Sequence, residues 1–320
     1  MRLPDDLRRA IGQQVDAIPA PTMVRAATEI SEAYRKADFA SAPLKSAAHR
    51  LAYLQVRLPA TYAACSHVFD KTRELLPNFQ PKSMLDLGAG PGTAAWAATD
   101  DFPSLDKITL LERDVELLRL GQALASNHPT LRSAAWTTAD LRTFVPPPHD
   151  IVVLSYALGE LSVSHARRLV TAAWAAGKLL IVIEPGTPKA FERMAELRKQ
   201  LIAEGAVIAA PCPHEKECPL LLRGDWCHFS ERLERTAEHR RIKGGSLGYE
   251  DEKFSYLAAT RLPIAERTGR IVRHPQIHSG YVQLQVCATD GLHQCTVTKS
   301  QKDTYRAARK SAWGDRWPLS

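Results

Sequence analysis

The chain carries 320 residues, with 42 Lys+Arg against 35 Asp+Glu and 45% hydrophobic content. That composition excludes collagen-like, mucin-like and wholly disordered chains, and the length allows about two domains at roughly 150 residues each. A formal charge of +7 suits an anionic partner without identifying one.

The longest strongly apolar run, residues 179–183, is strand-sized and far short of the roughly 18 residues a membrane span needs, so no membrane partner is expected. The N-terminus mixes acids and bases and lacks the apolar core of a secretory signal. A cytoplasmic location with reduced thiols is therefore expected, and six cysteines there read as metal ligands, reactive groups or core residues.

In chain order, residues 1–80 are expected to be a helical region, because Leu7, Ile11 and Val15 recur at helical spacing and Pro59 interrupts a second such segment. From residue 81 to 295 short apolar runs alternate with helix-like segments. The strings SMLDLG, ITLLER, DIVVLSYA and KLLIVIEPG predict strands, and 93–98, 115–127 and 164–176 predict helices. The alternation predicts an α/β fold with a mostly parallel sheet covered by helices on both faces. A helix is expected over 191–204, a Cys-, Pro- and His-rich insertion at about 206–250, and two further strands at KFSYLAATR and SGYVQLQVCAT. Residues 296–320 form a basic tail, where Lys299, Lys302, Arg306, Arg309, Lys310 and Arg316 are interleaved with Tyr305, Trp313 and Trp317. That mixture suits phosphate contacts combined with stacking on unpaired bases.

In MLDLGAGPG an apolar strand runs into Asp86 and then Gly88, Gly90 and Gly92 before a helix. Glycines there permit positive φ and close approach of a ligand, and the helix N-terminus offers free amides. The spacing departs from that of dinucleotide folds, and no GK[ST] ending marks a phosphate loop. Asp86 is placed to accept from a cationic amino group and Glu112 from two ribose hydroxyls. The arrangement resembles the first two motifs of class I S-adenosylmethionine-dependent methyltransferases, a resemblance that implies Asp140 as an adenine contact. It also implies that substrate meets the protein around SYALGEL. No catalytic motif of base-methylating enzymes is present, and Ser155, Tyr156 and Glu160 stand in its place. Glu160 is a candidate general base or a cap for the following helix.

Cys212, Cys218 and Cys227 fall within 16 residues, in PCPHEKECPLLLRGDWCHF. Such density calls for a shared ligand, and a fourth donor must come from Cys287, Cys295, His214 or His228. Four thiolates hold either zinc or an iron-sulfur cube, and spacing does not separate the two. The CxxxCxxC run of radical enzymes is absent.

CPHEKECPL with DWCHF, RLPATYAA, LDLGAGPGTA, LLIVIEPGTP and YRAARKSAWGDRWP together resemble the family of mitochondrial small-ribosomal-subunit assembly factors with a methyltransferase fold and its bacterial members, from about residue 50 onward. The resemblance implies a 4Fe-4S cluster on Cys212, Cys218, Cys227 and Cys287. It also implies the small ribosomal subunit and its rRNA as partners. If the chain docks on that RNA, Arg223, Arg232, Arg235, Arg240, Arg241 and Lys243, beside the cysteines, are expected to contact phosphates. An active S-adenosylmethionine-dependent rRNA methyltransferase and a zinc-stapled small-molecule methyltransferase are the alternatives. Oligomeric state is not encoded legibly, and a monomer is the default expectation.

Overall fold

In the computed structural model, which describes residues 1–15, 18–35, 44–235, 237–243 and 247–318, the helical periodicity of the first segment closes into α1 (Asp5–Val15), α2 (Ala20–Arg35), α3 (Ala47–Val56) and α4 (Leu58–Arg73). Leu7, Ile11 and Val15 are buried on one face of α1. Pro59 lies in the first turn of α4, where its missing amide costs no helical bond, so the expected interruption is a helix boundary at Arg57.

Beyond them the chain runs through β1 (Ser83–Leu87), α5 (Thr93–Asp101), β2 (Lys107–Glu112), α6 (Val115–Ala125), β3 (Ala135–Thr138) and β4 (His149–Ser155). Then come α7 (Val163–Ala176), β5 (Gly177–Pro185), α8 (Pro188–Ala203), β6 (Val207–Ala210), α9 (Pro219–Leu222), β7 (Phe229–Glu234), α10 (Ala237–Lys243) and β8 (Tyr249–Thr260). The last part holds β9 (Gly269–Ile271), β10 (Gln276–Ile277), β11 (Tyr281–Ala288), β12 (Gly291–Thr298), α11 (Lys302–Lys310) and β13 (Arg316–Trp317).

Strands β1 to β5 pair in parallel in the order β3-β2-β1-β4-β5. β8 then adds antiparallel between β5 and β6, and β7 pairs with its opposite half. This order, with one reversed strand near the edge, is the class I methyltransferase fold. Side chains alternate across the sheet as its pleat requires. Met84, Ile151 and Val153 pack with residues of α4 and α5, while Leu85, Val152 and Leu154 pack with α7 and α8. The strand order reverses between β1 and β4, and the crevice beyond their carboxyl ends is where open α/β sheets take ligands.

A second sheet has the order β10-β11-β9-β13, with β12 pairing β11 as a hairpin. It corrects the reading of the tail aromatics. Tyr305, Trp313 and Trp317 are buried, the first and third in a core with Ile271, Val282, Leu284 and Val286. They are not available to stack on bases, because Tyr305 and Ala308, three residues apart, turn one face of α11 into that core and leave the cations on the other. Several expected phosphate contacts are also engaged elsewhere. Arg232 pairs with Asp251 at 2.7 Å, Arg235 with Glu250 at 2.8 Å and Arg306 with Asp303 at 2.6 Å. The Lys243 side chain lies outside the described residues. Among the described residues no helix is long and apolar enough to cross a membrane.

Candidate functional site

At the crevice, Gly88, Gly90 and Gly92 have φ of +78°, +55° and +82°, so every second residue of the turn lies in the left-handed region that side chains resist. Gly88 is further constrained, since a Cβ there would stand 2.8 Å from the Cβ of Ala157. Gly88→Ala is expected to cost about 2–4 kcal/mol from backbone strain and overpacking together, read as a lowered urea midpoint. Gly90 faces open space.

Glu112 is held by backbone amides. Gly90 N–H donates to Oε2 at 3.0 Å, and Arg113 and Asp114 N–H donate to Oε1 at 2.7 and 2.9 Å. Both oxygens of Asp86 are buried and accept no hydrogen bond. Burial, reinforced by the charge of Glu112, pushes the Asp86 carboxyl up to about 7. A buried carboxyl without a partner is costly unless a ligand supplies the donor.

These groups share a pocket of about 240 Å³ with Asp140, Tyr156, Glu160, Tyr53 and Thr61. Asp140 is locked to Arg142, whose guanidinium holds its carboxyl well below the usual range. Glu160 stands 3.7 Å from Arg113. It does not cap the next helix, because Ser162 does so by accepting from His165 N–H. The Tyr156 backbone has φ +56°, an outlier for a bulky side chain, and its hydroxyl donates to Glu252 at 3.0 Å. Glu252 in turn takes both Arg57 nitrogens, at 3.2 and 3.1 Å. Tyr53, Arg57 and Thr61 come from α3, the α3–α4 junction and α4; Arg57 and Thr61 lie in the RLPATYAA string, but nothing in that string marks a ligand pocket, and only folding sets the helical cover over it.

A second cavity, of about 50 Å³, lies between the two sheets and is lined by Cys212, Cys218, Cys227 and Cys287. Cys212 follows β6, Cys218 precedes α9, Cys227 precedes β7 and Cys287 lies near the end of β11. Ser255 donates to the Cys227 carbonyl at 2.8 Å, fixing that corner. Burial pushes the Cys227 thiol well up and that of Cys287 up to about 12. Of the other candidate donors, His214 lines the cavity, its Nε2 3.7 Å from the Cys287 sulfur. His228 instead stacks on Trp226 with centroids 5.0 Å apart. Cys65 lies against Ser155 at 3.4 Å, and Cys295 sits on β12 opposite Leu284. Among the described residues no group of three or more His, Cys, Asp or Glu is arranged to hold a single metal ion.

The family described as mitochondrial small ribosomal subunit Rsm22 matches residues 47–318. The human mitochondrial ribosome assembly protein METTL17 is 29% identical over 291 residues, covering 84% of this chain and 62% of the human protein. The mitochondrial Rsm22-cox11 tandem protein 2 of Schizosaccharomyces pombe is 28% identical over 340 residues, covering 87% of this chain and 45% of that protein. The chain thus spans less than two thirds of either relative. Among solved structures, magnesium protoporphyrin IX methyltransferase from Synechocystis with bound SAH is similar at TM-score 0.42 and 13% identity, over 63% of this chain and 84% of that one. Precorrin-6y C5,15-methyltransferase from Geobacter metallireducens is similar at TM-score 0.42 and 15% identity, over 61% and 87%. The expectation of a cytoplasmic location is corrected by the names of the family and of both relatives, which point to mitochondria. The mixed acids and bases at the start of the sequence bear only on the secretory route.

Proposed function

We propose, from the premise that the chain belongs to the family described as mitochondrial small ribosomal subunit Rsm22, that it assists assembly of the small ribosomal subunit by binding its rRNA. The family match carries this reading, because it spans the glycine turn and the thiol-lined cavity alike. In the same reading the first site binds S-adenosylmethionine and the second a 4Fe-4S cluster.

The donor groups fit the first ligand. Asp86, buried and unpartnered, would take the ammonium, the Glu112 carboxylate the ribose hydroxyls and the segment around Asp140 the adenine. S-adenosylmethionine supplies an activated methyl group when bound. Meanwhile the left-handed glycines keep the backbone close to it, and α3 and α4 screen one side from water. For the second ligand, four free thiols line one cavity, a donor set that either a 4Fe-4S cube or zinc accepts, and the family resemblance favours the cube. Such a cluster would tie β6, β7 and β11, and so join the two sheets.

RNA binding is tested by titrating salt against affinity for small-subunit rRNA. A steep negative slope is expected, since each neutralised phosphate contributes about −0.9 to the slope on duplex and about −0.7 on single strands. Lys299, Lys302 and Lys310 have no ion-pair partner among the described residues, and their joint replacement by Ala is expected to flatten that slope. A flat slope in the unaltered protein contradicts the reading.

The strained Tyr156 backbone beside the pocket favours a second reading, methyl transfer to rRNA. Transfer of tritium from labelled donor to immature small subunits of cells lacking the protein is its test. No transfer, with donor binding confirmed, leaves the assembly role alone.

A further inference from the structure

We infer that Arg198 and Arg270 are charge-balancing residues of the thiol-lined cavity, holding an anionic centre among the four sulfurs; this rests on the reading that the cavity takes an iron-sulfur cube. Both arginines line it, and both are buried, at 8% and 4% exposure. Arg198 donates to the carbonyl of His214, its Nε has no partner, and no carboxylate pairs with it among the described residues. Arg270 donates from Nη1 to the Gly314 carbonyl at 2.7 Å, and its ion-pair partner, Glu74, is 4.0 Å away. Glu215, the acid in the Cys-rich segment closest to Arg198 in sequence, is taken by Arg267.

Two guanidinium ions in an apolar cavity, satisfied mostly by carbonyls and with Glu74 at 4.0 Å from one of them, leave positive charge only partly compensated, and burying such charge is costly without a full counter-ion. Four neutral thiols supply none. Four thiolates around a dicationic iron-sulfur core carry a double negative charge, which the two arginines match. His214 Nε2 lies 3.7 Å from the Cys287 sulfur, where its N–H tautomer would donate to a thiolate. Positive charge beside a cluster favours its more reduced, more negative state, so the arginines are expected to raise the reduction potential and to retain the metal.

The test uses the full chain purified anaerobically, as wild type, Arg198→Gln, Arg270→Gln, Arg198→Lys and Arg270→Lys. Iron and sulfide per chain are measured, together with the midpoint of one-electron reduction by dithionite. In that step one electron enters the core, no bond to sulfur breaks, and dithionite ends as sulfite. The Gln variants are expected to titrate at a more negative midpoint or to hold metal about tenfold more weakly, with the Lys variants near wild type. Gln variants matching wild type in both readouts overturn the inference, as do Lys variants displaced as far as Gln. Should a Gln variant fail to fold by circular dichroism, its Lys partner decides, agreement with wild type supporting the inference and displacement overturning it. Wild type without iron and sulfide overturns the cluster reading itself, a result separable from the others.

Discussion

Asp86→Asn is expected to bind S-adenosylmethionine on the order of 100-fold more weakly than wild type, because a buried charge-assisted contact to an ammonium contributes about 2–4 kcal/mol. The same substitution is expected to stabilise the ligand-free protein at alkaline pH. The Asp86 carboxyl is raised from 3.8 to about 7 by burial and then by Glu112. The folded chain therefore holds this proton where the unfolded chain has already released it. Stability from the group is complete below about 4 and is lost as pH rises through about 7, by up to about 4 kcal/mol. Asn has no proton to release, so wild type and variant should converge near pH 4 and separate by pH 8, with the variant the more stable. Glu184, also raised to about 7, gives a background of the same sign in both proteins and cancels in the comparison. Ligand binding runs the other way in pH. An ammonium needs the carboxylate, so wild-type affinity should fall about tenfold per unit below pH 7. Calorimetric titration with S-adenosylmethionine and urea unfolding across this range check both halves; near-wild-type affinity in the variant would remove Asp86 from the donor site.

The second large effect concerns the cavity thiols. Ser in place of Cys212, Cys218, Cys227 or Cys287 is expected to strip most iron and sulfide from anaerobically purified protein, with loss of the broad absorption near about 400 nm typical of such cubes. Lost cross-linking between β6, β7 and β11 should also lower the thermal midpoint of the loaded protein, since metal-binding free energy is folding free energy for the segments it joins. Cys65 and Cys295 serve as controls. Cys65 sits on the buried face of α4 against Ser155 and Cys295 faces across the β11–β12 hairpin, so Ser at either should leave the metal content unchanged. Dependence on Cys295 with indifference to Cys287 would reassign the fourth ligand.

Some elements are visible in local pattern alone. Leu7, Ile11 and Val15 repeat at helical spacing and lie on the buried face of α1, and apolar runs mark β1, β2, β4 and β5. These strands are covered on both faces, which is why they read as continuous apolar runs. β7 is harder to see, because FSERLE is buried at Phe229 and Leu233 alone and takes its order from pairing with β8. β13 has two residues and exists only as the partner of β9.

Chemistry divides along the same line. A glycine-rich turn after a strand is a local object, since each positive φ is a demand its own residue must meet, and so the amino acids announce it. Convergence is not local. Cys287 lies 60 positions after Cys227, Arg198 precedes both and Arg270 falls between them, each on a different element; their common cavity follows from the antiparallel entry of β8 and the docking of the second sheet. The tail makes the point in reverse. Interleaved Arg, Lys and Trp describe a basic aromatic surface until packing decides which side faces water, and burial of Tyr305, Trp313 and Trp317 leaves only the cations outside. Spacing along a chain determines what one helix or turn can be, whereas charge balance, cavity shape and aromatic exposure depend on what another element places opposite, and that is decided by the tertiary fold.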